Sequence, residues 1–289
     1  MISNQFPLIL VKDVEYVYSD KTFALRGINL CISKGEFVAI MGKNGAGKST
    51  LVKTFNGLLR PSNGNVFING KNARNYTIAE LSSSIGVIFQ NPLHQLFSNT
   101  LEDEIKFSLK NLNLDDNEIQ ERIDHTLNQF NLEKYRTRSP LNLSGGETKK
   151  LAIASIICRD PEILVFDEPT LGQDAKEINF FLNLVKNELS NGKTVIIITH
   201  NIEFALEHIP RVILMSDGEI IADGPTKDVL TQEFLINESS LILPQIYQFN
   251  LALNQVGIPV PKQIYAKNQM LEFLKVYLGG KKNNISGEI

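Results

Sequence analysis

The stretch Gly42-Lys43-Asn44-Gly45-Ala46-Gly47-Lys48-Ser49 sets glycines, a lysine and a hydroxyl at the spacing of a phosphate-binding loop. Glycines let such a loop curl until its N–H groups, and the start of the helix behind it, face the phosphates. Lys48 would reach the β and γ phosphates and Ser49 would ligate magnesium. A second chemical feature lies far downstream, where the apolar run Ile163-Leu164-Val165-Phe166 ends in the paired carboxylates Asp167-Glu168. Beside a phosphate site their roles divide, Asp167 as the magnesium partner and Glu168 as the base that orients or deprotonates water for in-line attack. A third is Leu143-Ser144-Gly145-Gly146-Glu147, a Ser-x-x-Glu capping box with two glycines inside it. Ser144 and the N–H groups of Gly145 and Gly146 make a second anion site at a helix start. One nucleotide has no use for two such sites on one face.

These residues need elements to carry them. Apolar or alternating runs at Leu8 to Tyr18, Ala24 to Ser33 and Phe37 to Met41 predict three strands, the last running into the glycine-rich loop and a helix from Ser49 to Gly57. A hairpin-like segment follows at Asn65 to Ile68, with Asn69-Gly70 behind it. Later strands are predicted at Ile85 to Phe89, Ile163 to Phe166, Val195 to Thr199 and Val212 to Met215. Strands alternating with helices give a mainly parallel sheet, with the early short strands forming an antiparallel edge. Between residues 91 and 158 the pattern is helical only, at Leu101 to Leu112, Asn117 to Phe130 and from about Gly146, which reads as an inserted helical subdomain. The main domain is predicted over 8–242. Residues 243–280 read as a C-terminal helical appendage, with helices at Gln245 to Gln255 and Lys267 to Leu278, and the polar end, 281–289, as a flexible tail.

Composition excludes several classes. Across 289 residues, 43% hydrophobic and 21% charged is an ordinary globular mix, which argues against disorder. A net charge of -3 gives no general attraction for nucleic acid or anionic lipid. The two cysteines, Cys31 and Cys158, form no metal or disulfide spacing. We expect no export signal in the N-terminal segment and no membrane span anywhere, so any membrane association would come through a protein partner. His94, His125 and His208 read as surface or packing residues.

In order, the phosphate loop, Gln90 after a strand, LSGGE at 143–147, ILVFDE at 163–168, Asp174 and His200 resemble the ABC ATPase family, over most of the chain. The resemblance implies an α/β fold with a P-loop NTPase core, ATP and Mg2+ as cofactors, and ATP hydrolysis coupled to transport. In that family the LSGGQ-type segment of one subunit closes on the ATP of another, so Ser144, Gly145, Gly146, Glu147 and Asp174 would act in trans in a head-to-tail dimer. Glu147 stands where Gln is commoner, and Gln173 where Leu is. By the same resemblance Gln90 would touch magnesium and the attacking water, and His200 the γ-phosphate. Tyr18 would stack on adenine, with Tyr16 the other candidate, and Thr50 joins the nucleotide-binding set.

The segment Gln90-Asn91-Pro92, with Gln95-Leu96-Phe97, Thr100 and Glu104, is similar to the energy-coupling factor group, whose subunits serve uptake of vitamins or of cobalt and nickel. That implies a peripheral subunit on the cytoplasmic side of the cell membrane, a transmembrane partner to which Leu96 and Phe97 are offered, and a second ATPase subunit in a homo- or heterodimer, joined through the appendage at 243–280, where Leu253 to Leu278 is similar to that group's. The competing class is a soluble ABC ATPase with a mechanochemical role on nucleic acid. One phosphate loop, no heptad arm and no basic patch interleaved with aromatics count against it and against a nucleic-acid partner. A P-loop kinase or GTPase fails on Ser144 to Gly146.

Overall fold

The computed structural model describes residues 7–261, 264 and 267–285. Among the described residues two sheets are built from ten strands: β1 Ile9–Val17, β2 Phe23–Ile32, β3 Phe37–Met41, β4 Asn63–Ile68, β5 Lys71–Asn72, β6 Ile85–Ile88, β7 Ile163–Asp167, β8 Thr194–Ile198, β9 Arg211–Ser216 and β10 Glu219–Pro225. One sheet is antiparallel, in the order β2-β1-β4-β5; the other has the order β10-β9-β3-β8-β7-β6 and is parallel except for β10. Strands β1, β2, β4 and β5 therefore form a separate antiparallel sheet, while β3 joins the main sheet, whose own antiparallel edge is β10, a strand the sequence reading did not contain.

Eleven helices accompany them: α1 Lys48–Phe55, α2 Ile78–Ser84, α3 Leu101–Leu109, α4 Asp116–Gln129, α5 Gly145–Ile157, α6 Ala175–Ser190, α7 Ile202–His208, α8 Thr226–Val229, α9 Glu233–Glu238, α10 Gln245–Gln255 and α11 Lys267–Ile285. Most start where an oxygen-bearing side chain can hold a free N–H: Thr77, Asp115 and Ser144 close full capping boxes, and Thr100, Asp174 and Asn201 cap singly.

The near-continuous apolar runs of β3, β7, β8 and β9 follow from burial on both faces of a parallel sheet. Alternate residues feed different cores. Val38, Ile40, Val165, Ile196 and Ile213 turn toward the antiparallel sheet and α1, while Ala39, Leu164, Phe166, Val195 and Leu214 turn toward the helices. The second of these cores runs without a break from the sheet through Leu101, Ile123 and Leu127 to Leu151, so the helical insertion of 91–158 shares the core of the main sheet. Beyond Leu243, Val260, Ile264 and Met270 form a small separate cluster with Ile246, Leu253 and Phe273 beside it. The predicted tail is corrected in part: α11 runs on through 281–285, because nothing in Lys281 to Asn284 breaks a helix, and 286–289 lie outside the described residues. Among the described residues no helix is long and apolar enough to cross a membrane.

One loop is tied down by a buried acid. Glu104, only 2% exposed, accepts hydrogen bonds from the N–H groups of Phe97 (3.0 Å) and Ser98 (2.8 Å), and Gln95 accepts from Phe89 N–H at 2.8 Å. Phe97 is left 65% exposed, edge-on to Phe107 at 4.7 Å between ring centres. Leu96 beside it packs partly against the core. Replacing Glu104 with Ala orphans two N–H groups and should cost about 1–3 kcal/mol. Hydrogen exchange at the Phe97 and Ser98 amides should accelerate in that variant; unchanged protection would mean that the loop is held by something else.

Candidate active site

The phosphate loop joins β3 to α1 in backbone shapes that need glycine. Gly42, Gly45 and Gly47 have φ of 143, 85 and 99°. A Cβ on Gly42 would run into the carbonyl of Met215 and one on Gly47 into that of Ala24, so the loop lies wedged against β9 and β2. Lys43 and Ala46 stand outside the cleft. Lys43 N–H donates to Ser239 O and its ammonium pairs with Asp217 at 2.9 Å, while Ala46 is fully buried and its carbonyl receives Gly218 N–H. The N–H groups of Asn44, Gly45 and Gly47 have no protein acceptor among the described residues. Those of Lys48 and Ser49, as first-turn positions, have none within the helix.

The cleft has a volume of about 640 Å³ and is lined by Asn44, Gly45, Gly47, Lys48, Ser49 and Thr50 on one side and by Gln90, Asp167, Glu168 and His200 on the other, with Tyr18 at its mouth. Its charges meet at the C-terminal edge of the parallel sheet. Lys48, 8% exposed, donates from Nζ to the carbonyls of Gly42 (2.7 Å) and Lys43 (2.8 Å). Burial pulls its pKa below the ordinary lysine value, against the pull of Glu168 and Asp167. Ser49 Oγ donates to Asp167 Oδ2 at 3.1 Å. Burial, helped by the charge of Glu168, pushes the Asp167 carboxyl above its ordinary value, while the Ser49 hydrogen bond and Lys48 oppose that shift.

Glu168 has φ of 49°, a left-handed backbone that a non-glycine residue adopts at a cost of roughly 1–2 kcal/mol. That conformation turns its buried carboxylate into the cleft. Thr199 Oγ1 donates to Oε2 at 3.2 Å and His200 Nδ1 to Oε1 at 2.6 Å. An ionised carboxylate only accepts, so the Nδ1 proton is assigned to the histidine and Nε2 is left for the cleft. An oxygen pair such as Ser49 and Asp167, with the Gln90 amide bordering the same cleft, suits a hard divalent cation.

Tyr18 lines the cleft and shares a 2.9 Å hydrogen bond with Thr50 Oγ1, whereas Tyr16 packs edge-on behind it and against the core. Sequence reading missed Thr22, Phe23 and Ala24, which line the mouth beside Tyr18, and Thr199, which adjoins His200. Phe23 offered a signal: it is a half-exposed aromatic, with Arg26 over its ring at 5.0 Å, next to a loop already suspected of holding a base.

Ser144, Gly145, Gly146, Glu147 and Asp174 do not join this cleft. Gly145 and Gly146 line a neighbouring groove of about 510 Å³, with Gln173, Lys149 and Glu177, and Gln90 and Leu171 border both spaces. Ser144 caps α5, donating from N–H (2.9 Å) and Oγ (2.8 Å) to Glu147 Oε2. Asp174 caps α6, accepting Glu177 N–H at 2.8 Å. The phosphate loop and the α5 N-terminus of one chain thus open onto separate spaces.

Comparison with known proteins follows the same lines. The ABC transporter family matches residues 25–171, half of the chain. An energy-coupling factor transporter ATP-binding protein, EcfA, of Methanothermobacter thermautotrophicus is 38% identical over 94% of this chain and 88% of its own length. Of three other curated relatives the chain spans less than half, as with a putative ABC transporter ATP-binding protein of Methanosarcina acetivorans, 38% identical over 94% of this chain and 44% of that protein. Among solved structures, CbiO1 of Clostridium perfringens, described as part of the ABC transporter complex CbiONQ, superposes with a TM-score of 0.71 at 36% identity, covering 84% of this chain and 98% of that one. An ATP-binding cassette solved as a dimer in a post-hydrolysis state with ADP and phosphate gives a TM-score of 0.68 at 29% identity, covering 75% and 98%.

The α5 cap carries its own pH signature. Hydrogen bonding from Tyr135 and then from Ser144 pulls the Glu147 carboxyl down to about 2 from an ordinary 4.5. A carboxyl depressed in the folded state stabilises above its unfolded value and loses that contribution as pH falls through its folded value. The stability difference between the native chain and Glu147→Gln, measured by urea unfolding, should therefore be full at pH 6 and shrink between about 4.5 and about 2. A difference that is flat with pH would remove the charged cap from the account.

Proposed function

The chain belongs to the ABC transporter family, and from that premise we propose that it is the ATP-hydrolysing subunit of a membrane importer of the energy-coupling factor type, peripheral on the cytoplasmic side. The observation that carries the reading is the division just described: Lys48, Ser49, Asp167, Glu168 and His200 converge in one cleft, while the second anion site of the same chain, at Ser144 to Gly146, opens elsewhere. A nucleotide held by one subunit then has room for the α5 N-terminus of another, and two nucleotides close a head-to-tail dimer.

Within the cleft, ATP phosphates would take the free N–H groups of Asn44, Gly45, Gly47, Lys48 and Ser49, and Lys48 would exchange its two carbonyl partners for phosphate oxygens. Ser49, Asp167 and Gln90 would hold Mg2+, which supplies charge neutralisation between the β and γ phosphates. Glu168 would accept the proton of the attacking water, oriented by Thr199 and His200. His200 Nε2 faces the position of the γ-phosphate, and Tyr18 offers its ring to the base at the mouth. Closure stabilises the dimer only because the γ-phosphate touches both subunits, so hydrolysis releases it. The exposed Phe97, pinned through Glu104, is the point offered to a helix of the transmembrane partner.

Glu168→Gln should lower kcat by about 10²–10⁴-fold and leave an ATP-bound dimer that survives gel filtration, whereas a variant that stays monomeric at saturating ATP would defeat the sandwich. Gentle solubilisation of membranes carrying a tagged chain should bring down a transmembrane subunit and a small solute-binding membrane protein, and Phe97→Ser should reduce that yield. Recovery of soluble or nucleic-acid partners only would leave the ATPase and overturn the importer.

A further inference from the structure

The N-terminus of α5 already has an anion in front of it. Glu147 N–H is taken by Ser144 Oγ, which leaves the N–H groups of Gly145 and Gly146 without a protein acceptor among the described residues. Glu177, from the first turn of α6, stands against the second of these residues: a Cβ on Gly146 would overlap its Oε1. That carboxylate makes no hydrogen bond or ion pair among the described residues, although its backbone is fixed by the Asp174 cap. Lys149 lies one turn along α5, half-buried, with its ammonium 3.5 Å from Leu171 O in the loop behind Glu168. Burial lowers its pKa, and Glu177 and then Glu168 draw it back up, so the ammonium lies within electrostatic reach of both carboxylates. Gly146, Lys149 and Glu177 line one groove.

We propose that Glu177 is an internal stand-in for phosphate, a positioning residue that occupies the positive end of α5 while the subunits are apart and withdraws toward Lys149 when the γ-phosphate held by a partner arrives. The inference rests on the head-to-tail reading above. A carboxylate at a helix N-terminus is stabilised by the helix dipole, and a phosphate brought to the same N–H groups repels it. With Lys149 beside it, the displaced charge has a cation to approach instead of an apolar wall. Glu177 thereby raises the ATP concentration at which the subunits close, and its return to Gly146 after hydrolysis helps to part them.

The test uses the full-length chain in the Glu168→Gln background, reading by sedimentation velocity the ATP concentration that gives half-maximal association. Adding Glu177→Gln should lower that concentration about two- to fivefold, the range for one charge at a helix terminus. Lys149→Met should raise it, and Lys149→Arg should restore the native value. An unchanged or raised requirement in Glu177→Gln overturns the role of Glu177, and an arginine variant that behaves like methionine overturns that of Lys149. Should the Glu168→Gln chain fail to associate with or without Glu177, the head-to-tail reading itself falls and takes this inference with it.

Discussion

The parallel ladder of β3, β8 and β7 is the constraint on which the site depends. Ile40 pairs with Ile198, and Asp167 pairs with the same Ile198. Thr199 N–H donates to Ile40 O, and Glu168 N–H to Ile198 O. Three loops therefore leave the sheet at one edge within one residue of register: the phosphate loop after Met41, the carboxylate pair after Phe166, and Thr199-His200 after Ile198. A slip of one residue in any of these strands would send its apolar side chains to the wrong core and carry its catalytic side chain out of the cleft at the same time. Folding and chemistry are thus specified by the same hydrogen bonds.

That edge gathers more negative than positive charge, and the molecule handles the imbalance locally. Lys48 folds back on two loop carbonyls, Asp167 accepts from Ser49, and Glu168 is held by Thr199 and His200. Lys48 and Glu168 are buried, and left without these partners each would cost about 1–3 kcal/mol. Each interaction is also replaceable, because a phosphate offers Lys48 oxygens equivalent to the carbonyls it leaves. The left-handed Glu168 is the one backbone strain among these catalytic groups outside glycine, and it lies where the carboxylate must turn from the strand line to meet His200.

How much of this could be read from residues alone depends on whether a position is fixed by local or by long-range physics. The phosphate loop was legible because glycine spacing and a strand-loop-helix context are both local, and the α5 start because Ser144 and Glu147 form a capping box within four residues. Strands β3, β7, β8 and β9 were legible from runs that only two-sided burial explains. β10 was not: its apolar run is only Ile220-Ile221-Ala222, half-buried, and it pairs with β9 through a tight turn at Asp217-Gly218. Tyr16 and Tyr18 share one alternation, so periodicity ranks them equally; what separates them is that β1 ends at Val17, freeing Tyr18 to reach Thr50. Glu177 belongs to no motif, and only the approach of α6 to α5 reveals it.

The carboxylates at the start of α5 point to a weak closure by design. Glu147 caps Ser144 with a full charge where an amide would cap it without one, and Glu177 adds a second charge over Gly146. In the isolated chain both stabilise the helix dipole. In the proposed head-to-tail dimer both would face an approaching phosphate, so what helps the separate subunit would oppose the sandwich. On that reading a subunit that must reopen after every hydrolysis would gain from the opposition: the bound γ-phosphate would have to outweigh it, and cleavage would remove that attraction.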